Sequence, residues 1–274
     1  MTQEEFQRLQ QMQLEIMDEI HRICVENKIE YYMIGGTLLG AVRHKGFIPW
    51  DLDIDIAMKR TEYIRFKESC ITKLEKRFIY RDFENTRDFN HPHALVCIRN
   101  TELYTKYDYL NPLTENLGIY LDIFPLDNAP NNLELRKKQE RELIYLKKLK
   151  KLKVNYRYSA SKLKTFVRIF TRRVLFWTSV DKINKMQQNV MQKYDKEKTG
   201  TLCSMASHYS YSKQCMDESI YGIPVLLNFE GRQYYAPNKY KEYLIRLFGD
   251  YMKLPPLEQR KANLKAFVSV KFDS

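Results

Sequence analysis

The chain has no uninterrupted apolar run approaching the roughly 18 residues that would carry it across a bilayer, so a membrane-spanning helix is not expected. Its start, Met-Thr-Gln-Glu-Glu-Phe, lacks a basic stretch followed by an apolar one, which gives no sign of a secretory signal. Cysteine is sparse: Cys24, Cys70, Cys97, Cys203 and Cys215 are odd in number, widely scattered and never spaced Cys-x-x-Cys. That spacing argues against both a zinc site and a disulfide framework, and it points to a reduced, cytosolic setting. Internal repeats, low-complexity stretches and recognisable RNA-binding motifs are also missing, so nucleic acid is not expected as a partner.

What remains is a chain able to build a core. Of its 274 residues, 44% are hydrophobic, normal for a globular protein. The net charge of +12 is unevenly distributed. Residues 131–200 carry 20 Lys and Arg against 6 Asp and Glu, leaving the rest slightly acidic at 26 against 28. Such asymmetry suits an anionic partner, though a solvated helical face explains part of it. Within this segment Leu163, Phe166, Val167, Phe170, Val174 and Trp177 form an apolar helical stripe interleaved with Lys162, Lys164, Arg168, Arg172 and Arg173. That pattern fits a helix lying in the headgroup layer of an anionic membrane, or one packed on the core with its lysines in water. The expected location is cytoplasmic, with peripheral contact at the inner membrane face through residues 131–200.

Along the chain, Thr2 and Glu5 form a capping box ahead of an amphipathic helix over 2–28. Tyr31–Ile34 is strand-prone, 37–43 a short helix, 51–58 a strand and 62–76 a helix. Strands are predicted over 77–83, 94–99, 102–107 and 118–124, the last closed by Pro125 and Asp127-Asn128-Ala129-Pro130. Residues 133–198 read as helical, and a further helix spans 238–248. The expected division is a core over 1–130, a basic helical segment over 131–200, and a part over 201–274 that packs back on the core. The fold class is α/β or α+β, a mixed sheet flanked by helices.

The chemistry concentrates in residues 35–56. Gly35-Gly36-Thr37 forms a small-residue bend, followed by Asp51, Asp53 and Asp55 at alternate positions. On a strand such residues share one face, where Asp is a poor choice unless it does something. Carboxylates packed this closely repel one another unless a cation lies between them, and hard oxygen ligands suit Mg²⁺ or Mn²⁺ beside a phosphate-bearing substrate. Asp53 and Asp55 are the strongest pair, with Asp51 in support. A third carboxylate is needed; Asp122 is the candidate from the 118–124 strand, and Asp127 and Asp108 are alternatives in loops. Gly35, Gly36 and Thr37 let a phosphate approach the backbone at a helix start, and Arg43 and Lys45 can neutralise its charge. His44, flanked by cations, is a poor general base; His91 and His93 around Pro92 read as loop residues.

These residues carry a family resemblance. Gly35-Gly36-Thr37-Leu38-Leu39-Gly40-Ala41-Val42-Arg43-His44 with Ile48-Pro49-Trp50-Asp51-Leu52-Asp53-Ile54-Asp55 resembles the signature of the LicD-type family, and Asp122-Ile123-Phe124-Pro125-Leu126-Asp127 resembles its second motif. Phe229-Glu230-Gly231, Phe248-Gly249-Asp250-Tyr251-Met252 and Leu254-Pro255-Pro256 resemble its carboxy-terminal block; the basic middle matches nothing. The family includes phosphocholine transferases of bacterial surface glycans and relatives among the fukutin-related proteins, and it is similar to the nucleotidyltransferase superfamily. The resemblance implies a nucleotidyltransferase-like core and one or two Mg²⁺ (or Mn²⁺) ions on Asp53, Asp55 and Asp122. It implies transfer of a phospho-alcohol, typically phosphocholine from CDP-choline, to a sugar hydroxyl of a lipid-linked or polymeric glycan, with release of CMP. Family members often carry Asp where this chain has Leu52, a position on the opposite strand face whose change should cost no ligand. The rival readings are a nucleotidyltransferase moving a nucleotide from an NTP to RNA or a small molecule, and a non-catalytic glycan-binding protein.

Overall fold

The computed structural model describes residues 2–105, 116–154, 166, 178–258, 260 and 267–272. Helix α1 (Gln3–Glu26) begins as its capping box dictates: the Thr2 hydroxyl accepts from the Glu5 N–H and the Glu5 carboxylate from the Thr2 N–H. Its apolar stripe from Phe6 to Ile23 is buried. Strand β1 (Tyr32–Met33) leads directly into helix α2 (Gly35–Arg43), followed by β2 (Asp55–Lys59) and α3 (Arg60–Lys73). Then come β3 (Phe78–Arg81), β4 (Ala94–Ile98), β5 (Glu102–Thr105) and the long β6 (Tyr120–Asn128).

The central sheet has the order β1-β2-β6-β4-β3. Its one parallel pair among the described residues is β2 with β6; the other pairings in that row are antiparallel. The sheet is therefore mixed, with helices around it, as the fold class required. Helix α4 (Leu133–Val154) and helix α5 (Val180–Met191) pack against each other beyond β6. The chain then returns through β7 (Thr201–Cys203), which pairs antiparallel with the end of β6, and β8 (Cys215–Asp217), which pairs antiparallel with β7. A hairpin of β9 (Val225–Phe229) and β10 (Arg232–Ala236) and a helix over Tyr240–Phe248 complete the core. One hydrophobic cluster runs from Phe6 through Leu143 and Met191 to Leu247. The apolar and basic stripe between Leu163 and Trp177 lies outside the described residues except for Phe166, which is exposed.

Two boundaries differ from the sequence pattern for physical reasons. The strand expected over 51–58 starts at Asp55, and Asp51–Ile54 is irregular. Met33 pairs with Ile56 and the Ile34 N–H donates to the Asp55 carbonyl, but the chain then turns into α2 at Gly35. Upstream of Asp55 no β1 partner is left. Strand β6 instead runs on through Pro125 to Asn128. The Asp122 N–H points toward β2, donating to the Ile54 carbonyl, so by alternation Pro125 presents its missing N–H to the other side. There β4 has ended at the Ala94–Ile123 pair and β7 begins only at Asp127–Cys203. A proline costs no ladder bond in that gap.

Candidate active site

The parallel pairing of β2 and β6 puts Asp55 directly beside Asp122. Neighbours across a sheet point to the same face, with strands roughly 4.8 Å apart. Asp51 and Asp53 reach the same place from the irregular segment, which is held by side chains instead of a ladder. The Gln13 amide donates to the Leu52 carbonyl at 2.7 Å and reaches the Tyr120 carbonyl of β6 at 3.4 Å. Leu52, expected on a strand face opposite the aspartates, lies in the irregular segment and is buried in the hydrophobic core.

Asp51, Asp53 and Asp55 line a cleft of about 480 Å³ together with Gly36, Arg43, Trp50, His208 and Tyr209. The carboxyl groups stand in one another's field without a basic partner close enough to offset burial. Burial, then the Asp53 charge, pushes Asp51 up to about 8. Burial raises Asp53, opposed by its hydrogen bond with Asp51 and reinforced by Asp122. Asp55 lies well above the ordinary range through burial and the charges of Asp53, Asp122 and Asp51. Burial brings Asp122 to about 6. Clustered carboxyls that resist ionisation so strongly are what a divalent cation relieves. The donor set, all hard oxygens, suits Mg²⁺ or Mn²⁺. Asp53, Asp55 and Asp122 are the residues that would hold it.

The glycine bend serves these carboxylates. Gly35 has φ +53°, in the left-handed region, and its N–H donates to the buried Tyr243 hydroxyl at 3.3 Å. A Cβ on Gly36 would come within 2.4 Å of Asp51 Oδ2, so glycine leaves that carboxylate where it stands and any side chain would displace it. The Thr37 hydroxyl accepts from the Asp55 N–H at 2.8 Å, fixing the start of β2. Arg43 lines the cleft and donates to the Tyr251 carbonyl at 2.8 Å. Lys45 is exposed, away from the cleft lining, at φ 64°, and its carbonyl accepts from the Glu230 N–H. Glu230 in turn accepts from the Phe47 N–H at 2.9 Å, so Phe229-Glu230-Gly231 clamps the loop that leads to the aspartates. Phe248, Asp250, Tyr251 and Leu254-Pro255-Pro256 form the far wall.

The sequence reading placed His91 and His93 in a loop and gave them no role. The structure puts His93 Nε2 at 2.5 Å from Asp122 Oδ1, and His91, His93 and Asp122 converge closely enough to hold a metal ion of their own. The available signal was a His-Pro-His immediately before a strand. Its significance required knowing that this strand pairs with β6. Burial and the charges of Lys150 and Lys147 hold His93 down at about 3; burial and His93 hold His91 at about 4. Asp127, the alternative third carboxylate, is fully buried and takes both forks of the Arg60 guanidinium, at 2.6 and 2.8 Å. It braces β6 against α3. Asp108 lies outside the described residues.

Comparison with known proteins agrees with this arrangement. The family description LicD/FKTN/FKRP, nucleotidyltransferase domain, matches residues 28–139, which span the glycine bend, the aspartates and β6. The chain is 32% identical over 259 residues to lipopolysaccharide cholinephosphotransferase LicD of Haemophilus influenzae, covering 90% of this chain and 91% of that protein. Over 54 residues it is 43% and 41% identical to uncharacterized proteins of Rickettsia typhi and Rickettsia prowazekii, 20% of this chain in each case and 18% and 20% of theirs. With a relative aligned nearly end to end and the family's domain match lying on the carboxylate cluster, the chain belongs to the LicD family.

Proposed function

We propose that this protein is a phosphotransferase that moves a phospho-alcohol, phosphocholine carried as CDP-choline, onto a sugar hydroxyl of a cell-surface glycan precursor, releasing CMP. The observation that carries this reading is the convergence of Asp53, Asp55 and Asp122 at the parallel β2–β6 pair, in a chain akin to a lipopolysaccharide cholinephosphotransferase along nearly its whole length. A divalent ion on these carboxylates would supply charge neutralisation for the diphosphate and for in-line displacement.

The chain's own residues do the rest. The amino-terminal end of α2 presents Gly36 to the cleft, and Arg43 stands there as a cation for the departing nucleotide. Tyr209, Phe248 and Tyr251 offer aromatic surface for a quaternary ammonium, next to Asp250. Trp50 is less open, because the Arg43 and Arg260 guanidinium carbons lie 6.0 and 5.2 Å from its ring centre. Asp122 would draw the proton from the attacking hydroxyl, and the hydrogen bond to His93 supports that role by orienting the carboxylate. No helix among the described residues is long and apolar enough to cross a membrane. The exposed Ile144 and Tyr145 with Lys148 and Lys151 on α4 support peripheral contact with anionic lipid at the inner leaflet.

The test is a screen of CDP-alcohols for Mg²⁺-dependent CMP release with lipid-linked sugars. CMP from CDP-choline is the expected product. Pyrophosphate from an NTP would instead identify a nucleotidyltransferase, and a chain binding neither Mn²⁺ nor a CDP-alcohol would be a glycan-binding protein. Failure to sediment with anionic vesicles at low salt would overturn the membrane contact.

A further inference from the structure

Next to the carboxylate cleft lies a second cavity, of about 280 Å³, with walls of opposite charge. Lys147, Lys150 and Lys151 project into it from one face of α4, at the i, i+3, i+4 spacing that aligns helical side chains. His208 lines both cavities and stands between them. Lys150 is 5% exposed, and its Nζ has no hydrogen-bond partner among the described residues. Lys147 is half-buried and donates one bond, to the Ser207 carbonyl at 3.0 Å. The Gln187 side chain in the same wall also has a buried, unpartnered oxygen.

A lysine this deeply buried is rare unless paired, and leaving its ammonium unmatched costs stability. The carboxylate whose field it feels, Asp181, accepts from the Asp88 N–H on a separate segment. Neither the proposed transfer nor the membrane contact uses Lys147 or Lys150. We infer that the lysine-lined cavity is a binding site for a phosphate group that a substrate brings beside the reaction centre, with Lys150 as its principal partner and Lys147 and His208 at its rim. A dianion matches two facing ammonium groups, where a carboxylate would neutralise one.

Which substrate carries that phosphate rests on the proposed transfer. In an in-line displacement the nucleophile and leaving group lie on opposite sides of the transferred phosphorus. Gly36 and Arg43, proposed above to meet the donor, line the main cleft and not the lysine cavity, which shares His208 with it. That separation favours a phosphate on the acceptor glycan over the donor's diphosphate.

The first measurement is the thermal midpoint of the full chain in EDTA against inorganic phosphate, so that metal-bound phosphate does not contribute. The wild-type midpoint should rise saturably. Lys150→Met should raise the half-saturating concentration about tenfold or more, the loss of one charge-assisted hydrogen bond, and Lys150→Arg should recover most of it. An equal phosphate response in folded wild type and Lys150→Met would overturn the site; should Lys150→Met not fold, Lys147→Gln carries the same comparison. The second measurement is CMP release. A Lys150→Met increase in KM for a phosphate-bearing acceptor that exceeds any increase for the same acceptor without its phosphate, with KM for CDP-choline unchanged, assigns the phosphate to the acceptor. A raised KM for CDP-choline without acceptor assigns it to the donor. If wild type turns over no CDP-alcohol, the proposed transfer falls while the phosphate titration still decides the site.

Discussion

Asp122 and Asp127 are five residues apart on one strand, both buried, and they have opposite fates. Asp127 meets the Arg60 guanidinium in a bidentate pair. Asp122 stands in the field of the Asp53 and Asp55 carboxylates, and its own carboxylate bonds a histidine held neutral. A fold keeps a compensated carboxylate for its own stability. An uncompensated cluster is a standing cost, retained for what it binds. Electrostatic compensation thus separates a brace from a site more sharply than burial or strand position does.

The strongest way to break this comparison is to neutralise one carboxylate of the cluster. Asp53→Asn or Asp55→Asn should lower CMP release by at least about 10²–10³-fold, the scale of losing one electrostatic stabiliser, with a metal-free thermal midpoint equal to or above wild type. Near-normal turnover, or a large loss of midpoint, would mean that these groups are structural. The brace should behave the other way. Arg60→Met strands Asp127 and should cost about 3–5 kcal/mol of stability, read as a lower denaturation midpoint, while kcat measured well below that midpoint stays near normal.

A third test sharpens the comparison through pH. Folded Asp51 and Asp122, at about 8 and about 6, lie above the roughly 3.9 of an unfolded aspartate. The native state then binds more protons, and metal-free stability should fall as pH rises from about 4 toward 8. Lys150, lowered by burial to about 7, acts oppositely above that pH, where the unfolded lysine retains its proton. Mn²⁺ should stabilise more as pH rises, by about 2.7 kcal/mol at a hundredfold excess over Kd. A metal shift independent of pH would place the ion elsewhere. The smallest expected effect is Thr37→Val, which removes the acceptor of the Asp55 N–H. It should cost about 1–3 kcal/mol and lower kcat more than it raises donor KM, because it loosens a carboxylate and leaves the cleft wall intact.

Several of these features were legible in the residues. The capping box and the buried stripe of α1 need only periodicity and motif spacing, and the strand register sets Asp122 beside Asp55, where the alternating pattern expected a neighbour for the aspartates. Other assignments looked different in three dimensions. Thr37 and Gly36, read as a phosphate cradle, also have a role the pattern did not show: one holds the Asp55 backbone and the other makes room for Asp51. Lys45 is exposed and is not among the residues that line the cleft. Within the basic segment, read as a face for an anionic partner or for solvent, Lys150 is buried and Lys147 half-buried at a cavity wall.

What the sequence determined by itself is the set of local rules: where helices begin, which aspartates alternate, and that carboxylates and small residues occur together. Those depend on neighbours within a few positions, through backbone sterics and side-chain spacing. Only the tertiary structure decided which charges face each other. Whether a carboxylate becomes brace or ligand depends on the groups that strand pairing and helix packing bring within a few ångströms, from positions 60, 93 and 150 that linear distance keeps far apart.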